Sequence, residues 1–143
     1  MPILNYTTSI DPWKTVNEIQ QIMSKHKVSH FSIKNEGTRP VALSFTIDYK
    51  GIPMNFLLPC NHKGVWNIIK NDSDIPGKLR NEEQAFRVSW RIIKDWVEAQ
   101  LAIVDAELAP LPEVFMAYLV MNTSGRTLSK MILEGDGMKL LGN

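Results

Sequence analysis

Arg87 and Arg91 stand four residues apart in the stretch EEQAFRVSWRIIK, and three more cations, Lys70, Lys78 and Arg80, flank the loop before them. A guanidinium forks two N–H bonds onto a phosphate or carboxylate, and four-residue spacing puts two of them on one helix face. The chemistry such a set offers is capture of an anion. Trp90, beside Arg91, carries an indole that could stack on a nucleobase. The four tryptophans sit at helical spacing, which favours packing in the core for each of them. Glu83 precedes Arg87 by four residues and Lys94 precedes Glu98 by four, so some of this charge can also close as solvated salt bridges.

Bond-making chemistry has less to build on. In Cys60-Asn61-His62 a thiol and an imidazole sit two apart, which would place them on one side of an extended segment. No orienting acid or oxyanion site accompanies them, and Cys60 reads as a small apolar residue at a strand end. His26 and His30 straddle a helix-to-strand boundary, and Cys-x-His is unlike the usual metal-ligand spacers, so these histidines read as surface residues and no metal is expected. The eight glycines are scattered and form no phosphate-cradling loop. No carboxylate pair stands out for general acid–base work. The expectation is a non-enzymatic protein without a cofactor.

The elements that must position these groups follow from periodicity. Asp11-Pro12 is a strong helix start, and Trp13, Val16, Ile19, Ile22 and Met23 recur as one apolar stripe, predicting a helix that ends near His26 after an extended arm over 3–10. Three segments then alternate with period two: Val28 to Lys34, Val41 to Tyr49, and Ile52 to Leu58. Asn35-Glu36-Gly37 and Tyr49-Lys50-Gly51 supply the turns of an antiparallel meander, whose apolar face the first helix would cover. A short helix over Asn61 to Lys70 and a loop over Asn71 to Arg80 lead into a long helix from about Glu82 to Glu107. Its polar stripe would carry Arg87, Arg91, Lys94, Glu98 and Asp105. Its other two sides are apolar, one through Val88, Ile92, Trp96, Ala99 and Ile103, the other through Ile93, Val97, Leu101 and Val104. Two such faces predict a homo-oligomer, most simply a dimer, formed through this helix. Ala109 to Pro112 breaks it; Glu113 to Met121 is expected as a further short helix, Asn122 to Gly125 as a turn, and Thr127 to Leu133 as a last helical turn or two.

The fold class is therefore α+β, an N-terminal helix packed on a three-stranded antiparallel meander and followed by a helical half. A length of 143 residues fits a single domain, with residues 3–59 forming the sheet half and 60–143 the helical half. An apolar fraction of 44% and a charged fraction of 22% are ordinary for a globular chain. No apolar run is long enough to span a membrane, and no leader pattern opens the chain. The single cysteine excludes an internal disulfide and fits a reducing compartment. Net charge is +1, but residues 61–94 hold seven Lys/Arg against four Asp/Glu, whereas 95–118 hold five acids and no base. Such polarity suits a basic anion site, head-to-tail contacts between subunits, or two solvated faces.

The segment RVSWRIIKDWVEAQLAIVDAELAPLPEVFMAYL, the opening LNYTTSIDPWKTVNEIQQIM and the mid-chain LPCNHKGVWNIIK together resemble a family of small, mostly uncharacterised bacteriophage and prophage proteins. The resemblance spans nearly the whole chain and carries no catalytic motif. It implies expression in the cytoplasm of a bacterial host. Three functions follow as expectations. The first is an accessory protein that captures a small phosphorylated ligand, such as a nucleotide immune signal, and so blunts host defence. Its ligand-binding residues would be Arg87, Arg91, Lys78, Arg80 and Lys70, with Trp90. The second is a nucleic-acid-binding accessory in replication or recombination, using the same cations along a backbone. The third is a protein inhibitor of a host enzyme, acting through the acidic end.

Overall fold

Asp11 starts the first helix as expected: its carboxylate accepts the backbone N–H of Trp13 at 2.8 Å, and Pro12 occupies the first turn. In the computed structural model, which describes residues 1–121, 125–135 and 142, helix α1 runs over Pro12–Ser24. Strands β1 (His30–Glu36), β2 (Arg39–Tyr49) and β3 (Ile52–Leu57) follow and pair antiparallel in the order β1-β2-β3. The chain is α+β, with this meander in its first half and helices after it. β1 begins two residues later than periodicity suggests, because Lys27 takes a left-handed φ of 67° and Val28 reaches back to the Met23 carbonyl to close α1. A register shift between Lys34 and Asn35 lets Glu36 pair with Arg39 at the hairpin end.

The inner face of β2 sets the core. Leu43, Phe45 and Ile47 are buried, joined by Phe56 and Leu58, and by Val16, Ile19 and Met23 of α1. Helix α2 spans His62–Asn71 and the long helix α3 spans Glu82–Asp105. Both are capped by an asparagine: Asn61 accepts from the Gly64 N–H and Asn81 from the Gln84 N–H. α3 lies beside α1 and sends Trp90, Ile93, Val97 and Leu101 into the sheet core. Its second apolar side buries Ala85 and Val88 against Ile69 and Ile75, with Ile3, Tyr6, Trp66 and Ile92 around them. The second face that would have called for a partner is thus covered, over the first half of the helix, by α2, the loop after it and the N-terminal arm. Ala99 and Ala102 remain exposed in the second half.

One helical segment differs from expectation. The expected helix over Glu113–Met121 is instead a single turn α4 (Leu111–Val114), a 3-10 turn at Met116–Tyr118, and an extended stretch. There, Val120 donates to the Asn55 carbonyl at 2.7 Å and Leu119 bridges Phe56, so the outer edge of β3 is paired. Backbone groups on that open edge outcompete helix propagation through β-branched Val120. Helix α5 (Leu128–Glu134) starts at Thr127, whose hydroxyl accepts from Lys130 N–H. Most of the expected Asn122–Gly125 turn lies outside the described residues. Phe115, between α4 and the 3-10 turn, plugs the core edge-on to Phe45 at 5.3 Å and to Trp96 at 5.5 Å. No described helix is long and apolar enough to cross a membrane.

Candidate functional site

α3 does not present Arg87 and Arg91 together. Arg91 turns into the seam with α1, where its Nη1 donates to Glu18 Oε2 at 2.8 Å and lies 3.4 Å from Thr15 Oγ1; its side chain is 15% exposed. Lys94 joins the same seam, held between Glu18 and Glu98. The stripe expected to face water is therefore an interhelical ion network. Burial pushes the Glu18 carboxyl up, but the hydrogen bond and charge of Arg91, with Lys94 and Lys14 behind it, outweigh that and hold it below its ordinary value. Trp90 is fully buried and its indole N–H donates to the Pro40 carbonyl at 3.0 Å. No face of that ring is open to a base, so Trp90 leaves the set of ligand candidates and joins the core.

Arg87 has different company. Together with Asp11, Trp13, Thr38, Arg39 and Glu83 it lines a hollow of about 200 Å3 where the start of α1, the β1–β2 turn and the start of α3 meet. Arg39 and Arg87 both approach Glu83, each at 3.9 Å. That distance is an ion pair but not a hydrogen bond. Among the described residues Arg39 makes no closer polar contact; its guanidinium lies over the Phe86 ring, 4.6 Å from the centroid. Arg87 gives one N–H to Gln84 Oε1 at 3.2 Å. Gln84 is itself fixed by donating to the carbonyls of Tyr6 and Thr8, which ties the N-terminal arm to the floor of the site. Trp13 forms the rim, 40% exposed, with its indole N–H on the Thr38 carbonyl at 2.7 Å.

Lys70, Lys78 and Arg80 do not line this hollow. Lys70 is exposed at the end of α2, 6.0 Å from the Trp66 ring centroid, and Lys78 and Arg80 lie exposed on and just after the 3-10 turn Gly77–Leu79. Cys60 and His62 line different recesses. Cys60 lines a recess with Tyr118 and Thr127, and burial pushes its thiol up to about 12. His62 stacks on Phe86 at 4.1 Å, and desolvation, offset in part by Glu36, lowers its affinity for a proton. His26 sets Nδ1 2.8 Å from the Ile22 carbonyl and Nε2 2.9 Å from Asp105 Oδ1. Among the described residues no three His, Cys, Asp or Glu side chains cluster as a metal would need.

Arg39, Glu83 and Trp13 are the site residues that sequence reasoning missed. Arg39 and Arg87 are far apart in the chain, and only the hairpin register and the packing of α1 on α3 bring them together. The available signal was the Arg39-Pro40 step just after the Gly37 turn, a cation at the rigid start of a core strand. No family model, curated protein or solved structure matches the chain.

Proposed function

We propose that the protein binds a small phosphorylated ligand through Arg39 and Arg87, without chemically converting it. The observation that carries this reading is two guanidiniums converging on one exposed carboxylate at 3.9 Å each, in a hollow rimmed by a half-exposed indole. Glu83 has a side chain 69% exposed, and ion pairs of that kind are worth about 0–1 kcal/mol. A phosphoryl group forked by the same two guanidiniums at hydrogen-bond distance gains about 1.5–3 kcal/mol per charge-assisted bond. Exchange of Glu83 for a phosphoryl group therefore gives up little at the carboxylate, and the stronger bonds offset the cost of association. The hollow is smaller than the roughly 300–1,000 Å3 of most small-molecule sites. The ligand is gripped by its phosphoryl end and leaves its remainder at Trp13, where a nucleobase has a ring to stack on.

With the resemblance to small bacteriophage proteins, this makes sequestration of a nucleotide immune signal in the bacterial cytoplasm the leading biological role. A thiol that burial holds protonated at Cys60, in a different recess from His62, supports the non-enzymatic reading.

Calorimetry with linear and cyclic nucleotides, beside a short DNA strand, tests it. One nucleotide should bind at one per site. Arg39→Ala and Arg87→Ala should each weaken it about tenfold or more, and together on the order of a hundredfold or more. Binding that instead grows with strand length and falls steeply with salt would favour a nucleic-acid role for Lys63, Lys70, Lys78 and Arg80. Absence of binding to any of these would remove both and leave the acidic surface and a protein target.

A further inference from the structure

At the end of the molecule away from the arginines, the C-terminus of α1, the end of β2 and the link from α3 to α4 enclose a groove of about 460 Å3, floored by Ile47, Tyr49, Val104 and Leu111. Apolar side chains continue onto the surface around it: Tyr49 is 38% exposed, Ile52 64% and Leu108 75%. The two long walls carry opposite charge. One is the end of α1, with exposed Lys25 and Lys27, and Lys50 stands beside it over the Tyr49 ring; Asp48, at the end of β2, is an acid in the lining between the two walls. The other is the 104–113 link, which holds Asp105, Glu107 and Glu113 and no base. His26 bonds Asp105 at 2.9 Å and so fixes one wall against the other.

Backbone conformation adds an independent observation. Lys27, Lys50 and Glu107 take φ of 67°, 53° and 59°. Left-handed backbone is cheap for glycine and asparagine and disfavoured for other residues. The fold needs the conformation at all three places, since Lys27 and Glu107 close helices and Lys50 turns a hairpin. It does not need a charged side chain there. Lys27 lines the groove and also suits the negative end of the α1 dipole, while Lys50 and Glu107 lie next to segments that line it, so three exposed charges stand at or beside the groove.

We propose that this groove is a two-fold interface with a second copy of the chain. In a two-fold contact each residue meets its counterpart's partner reciprocally, so a surface must complement itself. A basic wall and an acidic wall either side of an apolar floor do that: rotation about an axis through the floor sets Lys27 of each copy against Glu107 of the other. The apolar floor and exposed Ile52 and Leu108 are then desolvated together, and the ion pairs fix the register. In that dimer the acidic segment faces the basic wall of the second copy. The long helix contributes through its last turn rather than along its length.

Sedimentation equilibrium of the full chain, with circular dichroism to check folding, tests the interface. The wild type should be dimeric at micromolar concentration. Lys27→Glu and Glu107→Lys should each weaken the dimer tenfold or more, because each sets like charges face to face. The double variant should recover most of the wild-type affinity, since the two reversals restore opposite charges in every pair. A folded wild type that stays monomeric at 100 micromolar (~ten times the concentration at which a weak specific dimer of Kd ~10 micromolar begins to form) overturns the proposal. So does a dimer indifferent to both single reversals, or a double variant as weak as the two singles combined. Arg39→Ala must leave the dimer unchanged, which separates this surface from the ligand hollow.

Discussion

Arg87 and Arg91 differ by one helical turn and by everything around them, so they should fail differently. Arg91→Ala strips Glu18 of its closest partner inside the α1–α3 seam. A loss of about 1–2 kcal/mol in a urea melt is expected, with nucleotide binding retained. Arg87→Ala should show the reverse, a binding defect with little change in the melt. Glu83→Gln sharpens the same point: freeing both guanidiniums from a carboxylate should tighten binding several-fold, whereas a purely structural Glu83 would give weaker or unchanged binding. The seam also sets an acid limit. Glu18 has its folded pKa below the ordinary 4.5, so its contribution is complete above that pH and is lost as pH falls through the lower folded value. His62, with its pKa below 6.5, also contributes fully above its unfolded value and loses that contribution as pH drops from there. Thermal melts across pH 3–8 should show both losses, and Glu18→Gln should remove only the lower one. Cys60, with its thiol raised to about 12, should alkylate far more slowly in the folded protein than in denaturant, and Cys60→Ser should bind ligand as the wild type does.

Among elements, α3 is the spine: one side closes the sheet core, the other the smaller cluster under α2, and a third meets α1 through ions. Its existence was plain in the sequence, as were α1, the three strands and their antiparallel order, because long apolar periodicities and glycine turns are local signals. What a helix face meets is not local. The stripe Arg87, Arg91, Lys94 looked solvent-facing by polarity alone, yet α1 brings Glu18 to it. For Trp90 helical spacing favours the core over a stacking role, and its burial with the indole N–H on the Pro40 carbonyl agrees. Arg39 was invisible as a site residue because hairpin register, not spacing, carries it to Glu83. The 119–121 stretch was misread as helix because nothing in its own composition reports an open strand edge at Asn55. Phe115, from the irregular link between short helices, is the test of how these elements hold together. It is fully buried among Phe45, Phe56 and Trp96. Phe115→Ala should cost about 3–5 kcal/mol in chemical denaturation, a large share of a typical domain's stability of about 5–15 kcal/mol. A loss under about 1 kcal/mol would mean that the link is not part of the cooperative core.

At the scale of the whole molecule, part of the charge asymmetry written along the sequence is cancelled in space. Arg87 and Arg39 face Glu83, and Arg91 and Lys94 face Glu18. The cationic run is therefore interrupted at Arg87, Arg91 and Lys94, while Lys63, Lys70, Lys78 and Arg80 stay exposed. In the hollow two guanidiniums remain loosely paired beside a half-exposed aromatic ring. Fluorescence reports on that ring directly: ligand should perturb the half-exposed Trp13 and leave buried Trp90 unchanged, so Trp13→Phe should abolish the ligand-induced signal. The most direct measurement is an NMR titration that follows arginine side-chain and tryptophan indole N–H resonances as the tightest-binding nucleotide of the calorimetric panel is added. Saturable one-to-one shifts of Arg39, Arg87 and Trp13, with Arg91 and Trp90 unmoved, are the expected result. Shifts confined to other residues, or no saturable shift with any nucleotide of the panel, would contradict a phosphoryl site at Arg39 and Arg87.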